Sequence, residues 1–450
     1  MNATRMDTNT SKTPATLPLA AWQALSPAQA ARELHDRIRR LVPPLRSAAL
    51  AWLRPEAELA AALEVGASLL AKQNQKFASK VAPTSDDKVP LAGVPYLLKD
   101  LFDLAGVPMR AGSTFLEQVR PLPLHDSAIV QRLGQLGAAC AAKTHLVEFA
   151  SGLTGENPHY GDCPHPAYPD RLSGGSSSGS AALVGAGVAP LAVGTDTGGS
   201  VRVPAAWCGL HGFRLTPHDP FIADAFPLAP TMDTAGWFTV SAGDMLATWK
   251  ALVGPARPRH GVRGCHLPMA ALLASADAAT TRACDAAMAR LCPGADHATA
   301  QALQHAWRDG VDAYVTIGMS EAHAVHRDWL APYREHYDPV IWQRFTDAGR
   351  FPGEQIAAAQ AKREEFRAAF RAFFSAGFDF LVLPSVPCPA PRKPDCTPEL
   401  RRRILALTAP ASLAGLPVLS LPVPLPSGLT AGLQVILPEA ASAVVPQLLG

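Results

Sequence analysis

GGSSSGSAALVGAGVAPLAVGTDTGGS, residues 174 to 200, holds two glycine-serine turns on either side of an apolar stretch of small residues. Glycine lets a backbone turn tightly and aim its N–H groups at a ligand, and serine leaves a hydroxyl exposed, as a nucleophilic site requires. Residues 181 to 193, AALVGAGVAPLAV, read as a small-residue helix packed closely against a buried strand. Both turns, 174–180 and 194–200, are then held rigidly against one core. Isolated Gly/Ser clusters are most often flexible linkers. Here Ala, Leu and Val flank the turns, and Val201, Val203, Pro204, Ala205, Ala206 and Trp207 follow at once, so the linker reading fails.

Working outward, LAGVPYLLKDLFDLAGVP (91–108) predicts an apolar strand, a charged tip and a turn, and DSAIVQRLGQLGA (126–138) an amphipathic helix leading to a short strand, AACAAKT. FDFLVLP (378–384), LPVLSLPV (416–423) and AGLQVILP (431–438) each read as buried strands bounded by Pro or Gly. Strands at both ends of the chain with helices between them imply one sheet assembled from distant segments. The expected fold is α/β: a large mixed, twisted sheet covered by helices on both faces, with an N-terminal helical extension. Residues 1–20 read as disordered or loosely attached, 21–82 as the helical extension, and 83–450 as the body, with a variable helical region at about 246–377. Order is expected from near Ser26, where Ser26, Pro27 and Gln29 form a capping box with Pro at the first helical position. A second helix is expected over about 53–79.

Composition excludes several functions. Lys plus Arg (40) nearly balance Asp plus Glu (38), so no overall field draws the chain to nucleic acid or anionic lipid. No run of about twenty apolar residues predicts a spanning helix, and the N-terminus lacks the basic-then-apolar pattern of a secretory signal. The eight cysteines form no C-x-x-C pair and no zinc spacing, which fits buried thiols in a reducing cytoplasm. Neither a metal nor an organic cofactor is expected.

The turns admit other readings. Residues 175–179 match G-x-S-x-G, which in an α/β-hydrolase would make Ser177 the nucleophile, but the preceding HPAYPDRL is polar and broken by proline where an elbow needs an apolar strand. A phosphate-binding loop needs a Gly-Lys-Ser/Thr ending, and GTDTGGS has no Lys; neither turn supplies G-x-G-x-x-G between a strand and a helix.

The run GGSSSGSAALVGAGVAPLAVGTDTGGSVRVPAAWCGLHGF (174–213), preceded by GVPYLLKDLFDLAGVP (93–108), resembles the amidase signature family of serine hydrolases. The likeness extends through EFASGLTGENPHYG (148–161) and MDTAGWFT (232–239), and is visible again at FDFLVLPSVPCPAP and GLPVLSLP. Carried over position by position, it implies a catalytic Lys99, a bridging Ser176 and a nucleophile Ser200, which stands 24 residues after Ser176 as in the family. It also implies an oxyanion hole from the N–H groups of Thr197, Gly198, Gly199 and Ser200, and a cis bond between Gly175 and Ser176. Asp196 and Arg202 are expected to brace the turn, and Ser177, with Thr195, to support it by hydrogen bonding. Ser178-Gly179 stands where most members have Gly-Gly, a variant associated with allophanate hydrolases among others.

Chemistry makes sense of the set. A serine hydroxyl attacks poorly until its proton is removed. Lys99 follows Tyr96, Leu97 and Leu98, where desolvation can lower an amine's pKa until it acts as a base. The competing expectation is a plain ion pair with Asp100 at a solvated strand end. The implied activity is hydrolysis of a small-molecule amide through an acyl-enzyme, with a homodimer possible as in the family. Two alternatives are a glutaminase-type subunit of an amidotransferase and a catalytically inactive binding or scaffold relative. Substrate choice is expected to reside in the loop 217–231 and the helical region, where no residue is singled out.

Overall fold

PYLLK forms strand β2 (Pro95–Lys99), buried at every position. Its side chains alternate between two cores: Tyr96 and Leu98 join the larger, Leu97 the smaller. Both faces are therefore covered, which is why the strand reads as a continuous apolar run. The computed structural model describes residues 16–77, 89–256 and 261–450. Within them β2 lies between β3 (Ala139–Thr144) and β4 (Leu191–Thr195), parallel to both.

The remaining strands extend the sheet in both directions. On one side β1 (Leu50–Leu53) pairs antiparallel with β3. On the other, β6 (Ala235–Thr239) pairs with β4, and β5 (His211–Arg214) with β6. β5 then pairs with β9 (Val418–Pro424), far away in the chain, and β10 (Thr430–Ile436) joins β9 to β8 (Phe380–Pro384). Strand β7 (Gly264–His266) closes the far edge, parallel to β8. The order is β1-β3-β2-β4-β6-β5-β9-β10-β8-β7, a ten-stranded mixed sheet among the described residues. This is the α/β architecture expected, with late strands completing a sheet begun early.

Helices cover both faces. Trp22, Leu34, Ile38, Leu59 and Leu63 from the N-terminal helices, with Ala181 to Val184 of the helix Ser178–Gly185, pack on Leu97, Ala192 and Phe238. On the opposite face Ile129, Trp207, Trp249, Ile317 and Phe345 pack with Tyr96, Leu98 and Val193. Burying each large side chain is worth roughly 1.5–3 kcal/mol, so both faces contribute to holding the central strands.

Local signals explain several boundaries. Ser26 accepts from the Gln29 N–H at 3.3 Å while the Gln29 side chain accepts from the Ser26 N–H at 2.9 Å, the reciprocal cap expected at the start of Pro27–Arg40. In the central region the side chains of Asp277, Asp296 and Asp338 likewise accept from the first turns of the helices Ala278–Leu291, His297–Ala306 and Pro339–Ala348.

Four differences from expectation have identifiable causes. Order precedes Ser26: the helix Leu19–Gln23 buries Trp22 completely, and the Leu19 N–H donates to Asp244 at 3.0 Å. Residues 1–15 lie outside the described residues. The helix expected over about 53–79 runs Glu56–Phe77, because β1 and Pro55 occupy its expected start; positions 78 and 79 also lie outside the described residues. β1 is concealed in the sequence by helical patterning on both sides. Finally β7 is three residues long, too short to interrupt the Ala-rich pattern of 246–377, so that region contains a sheet strand as well as helices.

Candidate active site

Lys99 ends β2 and Thr195 ends β4, and the parallel register that sets Leu98 opposite Val193 brings these carboxyl ends side by side. Open α/β sheets place ligand sites at such ends. Lys99 is fully buried, and its Nζ donates to Ser176 Oγ at 2.8 Å and to Thr195 Oγ1 at 2.7 Å. The pairing with Asp100 does not form; Asp100 pairs instead with Lys143 at 2.5 Å. Burial lowers the Lys99 ammonium to about 7, against the opposing pull of Asp233 and Asp196. At neutral pH a substantial fraction of this amine is unprotonated.

Ser176 follows a cis peptide bond with Gly175. Ser177 donates from Oγ to the Thr195 carbonyl at 3.1 Å and accepts from the Thr195 N–H at 3.3 Å, tying the first turn to the end of β4. Its hydroxyl is thus engaged in structure, and the segment before it contributes only an isolated bridge between Pro164 and Leu172, no strand. The elbow reading of Ser177 has no structural counterpart.

The second turn is braced by one carboxylate. Asp196 accepts from the N–H groups of Gly199 (2.8 Å), Val201 (3.0 Å) and Arg202 (3.2 Å). Arg202 meets it from the side with Nη2 at 2.8 Å and Nε at 3.0 Å, and Arg214 Nη1 adds a third contact at 3.0 Å. All three side chains are fully buried, so this is an interior network and not a surface ion pair. Burial raises the Asp196 pKa, but Arg202 and Arg214 outweigh it and hold the carboxyl well below its ordinary range. Arg202 also donates to the Thr408 carbonyl (2.7 Å), Gln434 Oε1 (2.9 Å) and Ser412 Oγ (2.8 Å), which fastens the turn to the helix Pro398–Ala414 and to β10.

Of the four main-chain donors expected to form an oxyanion hole, one is spent: the Gly199 N–H goes to Asp196. Those of Thr197, Gly198 and Ser200 have no partner among the described residues. Gly199 has φ +128°, a conformation glycine tolerates, and a Cβ on Gly198 would fall 2.2 Å from the Tyr314 hydroxyl oxygen. Thr197 donates to Asp233 at 2.6 Å, and Thr408 donates to the Gly198 carbonyl at 2.7 Å. The turn is pinned from both sides, as a preorganised donor pocket requires.

Ser200 is 2% exposed and lines a small cavity together with Ser151, Thr197, Leu228, Tyr314 and Arg401. Its hydroxyl has no hydrogen-bond partner among the described residues. Lys99 and Ser176 are therefore in direct contact, while Ser200 stands at the cavity wall. Catalytic hydrogen bonds commonly tighten only when substrate is seated.

Sequence reasoning missed Asp233, Arg214, Tyr314, Thr408, Gln434 and Arg401. Asp233 and Arg214 lie inside MDTAGWFT and GFRLTP, segments that belong to or border the resemblance, so a signal was present. Tyr314 and Arg401 sit on the helices Gly310–His326 and Pro398–Ala414, where nothing local separates them from ordinary helix residues.

A mixed sheet that buries a lysine against a serine beneath a braced glycine turn fits a hydrolase of carbon–nitrogen bonds. The chain belongs to the amidase family, whose model matches residues 54–266 and 273–442. It is 32% identical over 358 residues to the 1-carboxybiuret hydrolase subunit AtzE of Pseudomonas sp. (strain ADP), covering 74% of this chain and 77% of that one. It is 44% identical over 155 residues to the indoleacetamide hydrolase of Pseudomonas savastanoi, a match covering 34% of each chain. A solved amidase superposes with a TM-score of 0.77 at 29% identity, covering 94% of this chain and 95% of that one. Amide hydrolysis is accordingly this protein's activity, and no helix among the described residues is long and apolar enough to cross a membrane.

Proposed function

We propose that Ser200 is the acylated nucleophile and that Ser176 and Lys99 form the relay that deprotonates it. The observation that carries this reading is the 2.8 Å contact between Lys99 Nζ and Ser176 Oγ in a site where burial brings the lysine to about 7. Neutral Lys99 accepts the Ser176 proton as Ser176 Oγ takes the proton of Ser200. The Ser200 oxygen then bonds to the amide carbon, and the carbonyl oxygen gains negative charge facing the N–H groups of Thr197, Gly198 and Ser200. Collapse breaks the C–N bond, and the proton returns through Ser176 to the leaving nitrogen, which departs as a neutral amine or ammonia. Water, deprotonated by the same relay, cleaves the ester and restores Ser200.

Asp196 and Arg202 position the turn without touching substrate, and Ser177 fixes the first turn to β4. The substrate is a small-molecule amide, and the chain acts on it as an independent hydrolase. Eight free cysteines among the described residues are consistent with a reducing compartment such as the cytoplasm.

The test is fluorophosphonate labelling of the purified chain alone, read by mass spectrometry of the modified peptide, alongside release of ammonia or amine from simple amides. Modification at Ser200 with turnover supports the reading; modification confined to another serine overturns it.

A further inference from the structure

The cavity that holds Ser200 also holds a cation without a counter-charge. Arg401, on the helix Pro398–Ala414, lines it, and its Nε is sealed from solvent with no hydrogen-bond partner. Among the described residues Arg401 forms no ion pair. The charged and titratable groups that act on it are a second cation, Arg344, and the phenol of Tyr314.

Carboxylates on the neighbouring elements are committed elsewhere. Asp233 accepts from Thr197, Leu228 and Ala229; Glu321 accepts from Thr231; Asp312 pairs with Arg402 on the exposed side of the same helix. Arg344 donates to the Ser151 carbonyl at 3.0 Å, and the Ser151 hydroxyl, on a residue 2% exposed at the cavity wall, has no partner at all among the described residues. The cavity thus gathers unspent donors and one unpaired positive charge around a nucleophile. Arg401 is only partly buried, with its Nε sealed from solvent and unpaired; a planar anion that accepts two parallel N–H bonds from such a guanidinium satisfies that donor and meets its charge.

We propose that the amide hydrolysed here carries a carboxylate at the end remote from the scissile bond, and that Arg401 binds it, with the Ser151 and Tyr314 hydroxyls as further donors. This rests on Ser200 being the nucleophile and deepens that reading by naming the substrate class. Arg401 determines specificity and takes no part in the bond-breaking step. Its contribution falls on KM, because the carboxylate is bound alike in the ground state and the transition state.

The experiment compares monoamides of dicarboxylic acids (malonamate, succinamate, glutaramate) with the corresponding neutral diamides, in the native chain, R401Q and R401K. The native chain is expected to favour one of the acids by about 10- to 100-fold in kcat/KM, carried mainly by KM. R401Q loses that preference and R401K keeps part of it. In parallel, malonate, succinate and glutarate are tested for slowing fluorophosphonate labelling of Ser200, which reads carboxylate binding even where none of these amides is turned over. A native preference for the diamides, a preference for the acids that survives in R401Q, or labelling that no dicarboxylate slows would overturn the proposal. Labelling of Ser200 that proceeds normally in that case leaves the hydrolase reading standing; failure to label Ser200 at all in the native chain removes the nucleophile and the proposal with it.

Discussion

The floor and the roof of the cavity treat charge in opposite ways. At the floor, the turn that carries Ser200, Arg202 spends its guanidinium on Asp196, Thr408, Gln434 and Ser412, and Asp196 is met by two arginines and three main-chain N–H groups. At the roof, the helical wall, Arg401 stands unpaired beside Tyr314, with an unused Ser151 hydroxyl in the same lining. The floor's polar groups are mostly paired, Arg214 Nε and Nη2 excepted, and such a network rigidifies the turn. On the reading proposed above, the floor would serve any amide and the roof would choose among them.

Variants of the floor should injure catalysis whatever the substrate. Ser200→Ala is expected to reduce turnover by roughly 10⁴-fold or more and to remove fluorophosphonate labelling, and a steady-state assay on two unrelated amides would break the contrast if only one were affected.

Next comes the base. The amine must be unprotonated to accept a proton, so kcat/KM should rise with pH through about 7 and fall nearly tenfold per unit well below it. Lys99→Met should abolish this acid limb along with most of the activity. A profile flat from pH 5 to 8 in the native chain would show that Lys99 is not the base.

Asp196→Asn leaves Arg202 and Arg214 buried without their anion, and should cost about 3–5 kcal/mol in urea unfolding. If stability were unchanged, the floor would not depend on this carboxylate.

The smallest effect sharpens the comparison most finely, because it concerns neighbours. Arg402, one residue beyond Arg401, pairs with Asp312 where both side chains are more than half exposed. Arg402→Ala should change stability by less than about 1 kcal/mol and leave kcat/KM as it was, since exposed pairs are worth little. Equal effects at 401 and 402 would mean that the cavity does not distinguish them.

How much can be read from residues alone differs between the same two regions. The floor lies in short, glycine-rich segments that carry the family resemblance, so the proposed set Lys99, Ser176, Ser200, Asp196 and Arg202 can be picked out there. The one adjustment, the Gly199 N–H turning to Asp196, depends on a hydrogen bond that spacing cannot specify. The roof lies on helices, where Tyr314 and Arg401 look like any aromatic or basic residue of a covered helix. Strands β1 and β7 are hidden for a related reason: each is four residues or fewer, and each gains its identity from a partner strand far away in the chain.

The sequence by itself determined the α/β class, the two glycine-serine turns and the apolar strands that bear them, because local turn chemistry and continuous burial leave marks over a few residues. Tertiary structure alone decided which distant segments complete the sheet, how far burial lowers Lys99, and that Arg401 lines the cavity without an ion-pair partner among the described residues. Those properties are sums over neighbours that folding brings together: Arg202 finds the Thr408 carbonyl and the Gln434 side chain 206 and 232 residues further along the chain, separations at which no local pattern can record a contact.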